Sequence, residues 1–132
     1  MPAVRDDVKG RIDAIEKSYE FLLAYAAQGL HSDQGSKTGG QLRSYLGEAV
    51  SGLDGLANQL RVLVSEEKLQ PADVWAEVLN VVDRDASATL SAIRLVAAQE
   101  SVSSQLVDNL NANIHFRALL TDLFLVDELI GP

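Results

Sequence analysis

The stretch Asn109-Leu110-Asn111-Ala112-Asn113-Ile114-His115-Phe116-Arg117 decides how the last third of this chain folds, because polar and apolar residues alternate almost strictly along it. Such alternation is typical of a β-strand with one buried face. The surrounding sequence has a helical pattern, however, so a strand here would lack a pairing partner, and Asn and Ala are poor strand residues. We therefore interpret the stretch as helical.

On a helix, the apolar residues before and after this stretch fall on different faces. One face carries Leu106, Val107, Leu110 and Ile114, and the nearly opposite face carries Phe116, Leu119, Leu120, Leu123, Val126 and Ile130. The helix could kink or break near residues 113–117, which would turn both faces toward one core. Alternatively it runs straight, and the second face is covered by a partner subunit or by the centre of the bundle. The sequence leaves these alternatives open, and it makes those last six residues candidates for a homodimer interface.

Three further segments place apolar residues at alternating spacings of four and three, the heptad pattern of packed helices. In residues 4–28 the pattern comprises Val8, Ile12, Ile15, Tyr19, Leu22 and Ala26, widened by Leu23. In the second segment it runs without a gap through Leu42, Leu46, Ala49, Leu53, Leu56, Leu60 and Leu63. In the third, which Pro71 opens, it comprises Trp75, Leu79, Val82, Ala86, Thr89, Ile93 and Val96. Each segment is predicted to be one helix.

The connections are marked by composition. Residues 29–41 are rich in Gly and Ser and have no periodicity, which predicts a loop. Residues 72–130 contain neither Gly nor Pro, yet one helix of that length would extend for about 90 Å. We expect the break at residues 101–104, where serines can cap a new helix, and a second possible break at residues 83–87. The predicted fold is therefore all-α, a single domain over residues 1–132 folded as an antiparallel up-down four-helix bundle.

The charge distribution restricts the partners. The chain carries 11 basic and 19 acidic residues, a net charge of −8, and residues 67–132 hold 4 basic and 10 acidic groups. Such a chain repels phosphate backbones and anionic lipid, so we expect neither nucleic acid nor membrane as a partner. No apolar run approaches a membrane span, and the N-terminus is too charged for a signal peptide. A cytoplasmic location is expected.

Few side chains suit metal or covalent chemistry. The chain has no cysteine and only two histidines, His31 and His115, and no Glu-x-x-His pair of the kind that binds di-iron centres in helical bundles. We expect no transition metal and no cofactor. A candidate ligand site lies in the opening stretch, where Asn109, Asn113 and Arg117 form an i,i+4 ladder beside His115.

The size, acidity and helical His115 of this chain resemble the histidine-phosphotransfer domains in architecture. In that family the phosphorylated histidine is followed by a basic residue three positions later and usually by a glycine. Here Arg117 stands two positions after His115 and Ala118 follows it, so the motif differs in spacing and in type. The resemblance implies a phosphotransfer role only through the shared architecture.

These observations favour a non-enzymatic interaction protein, an adaptor, regulator or assembly factor that self-associates through its C-terminal helix. The alternative is a bundle that binds a small molecule or cofactor through Asn109, Asn113, His115 and Arg117. The two hypotheses differ in what they require near His115, a polar pocket for the second and a dry apolar contact between subunits for the first.

Overall fold

The computed structural model describes residues 2–132, which form six helices and no strand. The helices are α1 (Pro2–Ala27), α2 (Lys37–Leu53), α3 (Leu56–Glu66), α4 (Ala72–Ala97), α5 (Ser104–Asn111) and α6 (Ile114–Ile130). The all-α prediction is confirmed, but six helices are present where four were predicted. None of the helices in this part of the chain is both long and apolar enough to cross a bilayer.

The first helix buries the predicted face with two differences. Val8, Ile12, Ile15 and Leu22 are buried, and Tyr19 and Ala26 are partly buried against the same core. Leu23, expected to widen this face, is exposed instead. Tyr25, which the heptad pattern did not include, is fully buried, and its hydroxyl donates a hydrogen bond of 2.8 Å to the Val102 carbonyl.

The second predicted helix is divided into α2 and α3 at Asp54–Gly55. Gly55 has a φ of +85°, a left-handed conformation that glycine adopts without a Cβ clash. The Arg11 guanidinium donates hydrogen bonds to the carbonyls of Ser51, Gly52 and Asp54, which satisfies the end of α2. All seven apolar residues of the predicted pattern are nevertheless buried across the break.

The long helix α4 is continuous from Ala72 to Ala97, so the possible break at residues 83–87 does not occur. All seven residues of its predicted face are buried. The expected break near residues 101–104 is confirmed, because residues 98–103 are non-helical and the Ser103 hydroxyl caps α5 by accepting a hydrogen bond from the Leu106 amide at 3.0 Å.

The opening stretch contains a helix break, between α5 and α6. The Asn113 side chain caps α6 by accepting hydrogen bonds from the amides of His115 and Phe116, at 2.9 and 3.2 Å. The break turns Val107 and Leu110 of α5 and the buried face of α6 toward the same core. Of the alternatives left open by the sequence, the broken helix is therefore the one that forms.

Two arginine-centred contacts hold the connections in place. Arg43 pairs with the buried Asp33 at 2.7 Å and donates to the carbonyls of Ala97 and Gln99 at the end of α4. Arg5 makes two hydrogen bonds to Glu67 and donates to the carbonyls that end α6. Helices α1 and α4 each pack against α2, α3, α5 and α6, around one continuous apolar core.

Candidate functional site

The four side chains predicted to bind a ligand do not share one helical face, because the helix break separates them. Asn109 lies on α5, where its side-chain oxygen accepts a hydrogen bond from Gln105 at 3.2 Å. Asn113 is occupied as the cap of α6. His115 and Arg117 are exposed on the first turn of α6. The ladder predicted for a continuous helix is therefore not formed.

The six residues predicted to form a dimer interface are buried within the single chain. Phe116, Leu119, Leu123 and Val126 are fully inaccessible, and Leu120 and Ile130 are nearly so. Phe116 also packs edge-on against Tyr19 of α1, with ring centroids 5.2 Å apart. Residues that the folded chain already covers offer no surface to a second folded subunit, so the core and not a partner covers this face of α6.

Four apolar side chains of α6 are exposed, Ile114, Phe124, Leu125 and Leu129, and the last two lie beside α4. Leu125 is 57% exposed and Leu129 is 62% exposed, one helical turn apart. On the adjacent helix α4, Val74 is exposed and Val78 is half-buried, again one turn apart. These two pairs face each other where the start of α4 packs beside the end of α6.

Between the two pairs lies an open groove of about 310 Å³, which we call the α4–α6 groove. Trp75, only 9% exposed, and Val126 contribute to its lining. The lining residues are Leu69, Gln70, Pro71, Val74, Trp75, Val78, Leu125, Val126 and Leu129. Gln70 is the single polar side chain among them, so the groove presents an apolar surface with almost no hydrogen-bonding groups.

The contact between α4 and α6 also carries a polar cluster formed by Asp85, Asp122 and His115. The Nδ1 atom of His115 lies 3.8 Å from a carboxylate oxygen of Asp85. One carboxyl oxygen of Asp122 is buried and has no hydrogen-bond partner among the described residues. Burial, together with the neighbouring Asp85 carboxyl, raises the pKa of Asp122 to about 7. The Asp122 carboxyl therefore titrates near neutral pH.

This pair makes stability depend on pH in a defined direction. The pKa of Asp122 is higher in the folded chain than its ordinary value of 3.8. The folded state therefore gains stability from protonated Asp122 in acid, and this stabilisation is lost as pH rises through about 7. We expect Asp122→Asn to stabilise the protein at about pH 8 by roughly 1–2 kcal/mol and to have little effect near pH 4. Urea denaturation of both proteins at several pH values measures this.

The matched control for that prediction is Asp108→Asn, which removes an exposed carboxylate from α5. We expect its free energy of unfolding to follow the wild-type pH dependence. Equal pH dependence in wild type and Asp122→Asn would show that the two carboxyls do not interact in the folded chain.

Residues 2–132 contain no group of three or more His, Asp or Glu side chains placed to hold a metal ion. The polar cluster between α4 and α6 consists of the His115–Asp85 contact and the neighbouring Asp122 carboxyl.

Sequence reasoning missed the α4–α6 groove, although a signal was present. Val74, Val78 and Val81 recur on α4 outside the buried heptad, and Leu125 and Leu129 do so on α6. An apolar stripe beside a heptad predicts a second contact surface, but which two stripes meet depends on the packing of helices that are distant in sequence.

Comparison of the chain with protein-family models, with curated proteins and with solved structures gives no match. The function must therefore be argued from the geometry of this chain.

Proposed function

We propose that this protein is a small, acidic, non-enzymatic interaction module, an adaptor, regulator or assembly factor, that binds a segment of another protein in the α4–α6 groove. The observation that carries the proposal is the exposed apolar lining, in which Leu125 and Leu129 leave more than half of their side-chain surface open beside the sole tryptophan, Trp75. Contiguous exposed apolar surface on a soluble protein marks a site of interaction.

The shape of the groove supports a peptide segment as the occupant. Two parallel rows of aliphatic side chains, Val74 with Val78 and Leu125 with Leu129, border a floor that contains Trp75. An amphipathic helix binds such a groove by inserting side chains spaced three or four residues apart. A small-molecule site generally has several convergent polar groups, and here only Gln70 and the indole N–H of Trp75 provide such groups.

The alternative function, ligand binding through Asn109, Asn113, His115 and Arg117, has less support. Asn113 is engaged in capping α6, and Asn109 lies beyond the helix break. Self-association through the face of α6 that contains Leu123 is not supported, because the chain itself covers that face. A second copy is therefore retained only as an outcome of the experiment.

We further propose that the six helices act as four rods in an antiparallel up-down bundle in one domain, located in the cytoplasm. What supports this arrangement is that α2 and α3 continue one buried heptad across Asp54–Gly55, and that α5 and α6 face one core across Asn113.

The proposal is tested by selecting binders from a displayed library of random peptides that lack tryptophan. Because Trp75 is the sole tryptophan, its fluorescence reports occupancy of the groove directly. We expect the selected peptides to shift the Trp75 emission, and we expect Leu129→Gln to weaken their binding by about tenfold or more, which corresponds to the loss of one well-buried apolar contact.

The matched control is Leu95→Gln, which replaces an equally exposed leucine on α4 outside the groove and should bind the peptides as the wild type does. Peptides that bind Leu129→Gln and wild type equally, without a change in Trp75 emission, would contradict the proposal. A wild-type protein that sediments as a dimer, and becomes a monomer in Leu129→Gln, would replace it with self-association.

A further inference from the structure

The two segments that form the α4–α6 groove carry negative charge only. Residues 69–81 and 121–132 contain five acidic side chains, Asp73, Glu77, Asp122, Asp127 and Glu128, and no Lys, Arg or His. Asp73 and Glu77 are exposed on α4 next to Val74 and Val78, and Glu128 is exposed on α6 next to Leu129. On both helices, exposed acidic residues therefore neighbour the groove-lining residues in sequence.

The basic side chains of nearby segments do not neutralise these exposed acids. Lys9 of α1 pairs with Asp127 at 2.6 Å, on the side of α6 that faces α1. Arg5 is engaged by Glu67 and by the carbonyls that end α6. Lys68 and Arg61 line an adjoining depression, which shares Leu69 and Gln70 with the groove. Asp73, Glu77 and Glu128 make no ion pair among residues 2–132 with N···O within 4.0 Å.

We propose that the occupant of the groove is a basic amphipathic helix of another protein, with aliphatic side chains on one face and Lys or Arg residues flanking that face. This inference rests on the proposed function and adds the chemistry of the partner. The aliphatic side chains enter between Val74 and Leu129, and the basic residues lie along the borders, within reach of Glu77 on one side and Glu128 on the other. Complementary charge at the rim of an interface speeds association and excludes partners of the wrong sign.

The same charge argues against the other occupants of an apolar groove. A second copy placed by a two-fold axis would bring Asp73, Glu77 and Glu128 toward identical acids, and such like-charge contacts are unfavourable. An anionic membrane surface and a nucleic acid are repelled by these acids and by the net charge of −8. A basic partner gains from both features of the groove, its apolar floor and its acidic borders.

The experiment uses the full chain and two synthetic peptides of about 15 residues, long enough to form a helix on binding. Both carry leucine at the same helical positions and lack tryptophan. One has lysines flanking the leucine face and the other has glutamates in those positions. We expect Trp75 fluorescence titrations to give a dissociation constant at least about tenfold lower for the lysine peptide at low salt, with the difference narrowing as salt is added.

Charge variants locate the effect on the protein. The double variant Asp73→Asn/Glu77→Gln should lose most of the preference for the lysine peptide, since it removes two of the three exposed acids. The matched control is Glu100→Gln/Asp108→Asn, which removes the same amount of charge from exposed positions outside the groove and should keep the preference. Equal loss in both double variants would show that net charge acts at long range and that the rim does not recognise the partner.

The outcomes separate the two proposals. If the glutamate peptide binds as tightly as the lysine peptide, and Leu129→Gln weakens the binding of both peptides, the groove is a docking surface. The proposal that its partner is basic would then be wrong. If neither peptide nor any library-selected peptide changes the Trp75 emission, the docking function itself fails. If the protein self-associates through the groove, a second copy would replace the basic helix as the occupant. If the protein binds anionic vesicles and Leu129→Gln abolishes that binding, a membrane surface would replace it.

Discussion

Leu123→Glu is expected to unfold the protein. Leu123 lies at the centre of the buried face of α6 and is completely inaccessible to solvent. A carboxylate there has no cationic partner, and burying an unpaired charge in an apolar core costs more than most small domains can tolerate, since they are stable by only about 5–15 kcal/mol. Circular dichroism at neutral pH should show loss of most of the helical signal.

The matched control for that variant lies two residues further along the same helix. Leu125→Glu places the same charge on the exposed face of α6, where we expect a change in the free energy of unfolding within about 0.5 kcal/mol. A Leu123→Glu protein that keeps its helicity and only changes its sedimentation would show that this face is an interface between subunits and that the burial described here is wrong.

Arg43→Met is expected to lower the free energy of unfolding by about 2–3 kcal/mol and the melting temperature by roughly 10 °C. The substitution leaves the carboxylate of Asp33, which is 7% exposed, without its cation, while the Val102 amide at 2.7 Å still donates to it. It also removes the donors to the carbonyls that end α4. Thermal and urea denaturation measure the loss.

The pH dependence of this pair has the opposite sign from that of Asp122. The hydrogen bond from Arg43 is the main reason that the pKa of Asp33 is lowered from its ordinary value. The stabilisation is therefore present above about pH 4 and is lost as pH falls through the lowered pKa. In Arg43→Met we expect the free energy of unfolding to fall less on acidification than it does in the wild type.

The control for Arg43 is Arg61→Met, which breaks an ion pair with Asp83 whose side chains are both more than a third exposed. Such surface pairs contribute little, so we expect almost no change in stability. Equal effects of the two substitutions would show that the contact between Asp33 and Arg43 is no stronger than an ordinary surface pair.

Heptad spacing predicted most of the core because the buried positions of packed helices follow that spacing even across a helix break. Leu42 through Leu63 keep the same rhythm on both sides of Asp54–Gly55, and all seven apolar positions are buried. The break itself was not predicted. A glycine within a helix and a glycine in a left-handed turn look alike in sequence, and what favours the turn here is Arg11, 44 residues away from Gly55 in the chain.

The candidate site was predicted less well, for a physical reason. For the apolar residues after the opening stretch, the sequence left open whether a helix break, a partner subunit or the centre of the bundle buries them. The cap formed by Asn113 changes the direction of the chain, so that the face of α6 with Leu123 becomes buried and Leu125 becomes exposed. A side-chain cap was foreseeable at an asparagine, whereas the pairing of Leu129 with Val74 required the packing of α4 beside α6.

The most direct test of the central claim, that the α4–α6 groove binds a protein segment, is a two-dimensional ¹H–¹⁵N NMR titration of the labelled full chain with the lysine-flanked peptide. We expect the largest shift changes at the backbone amides of residues 69–78 and 122–129 and at the indole N–H of Trp75, with little change in α2. Changes concentrated elsewhere on the surface, or none at saturating peptide, would contradict the claim.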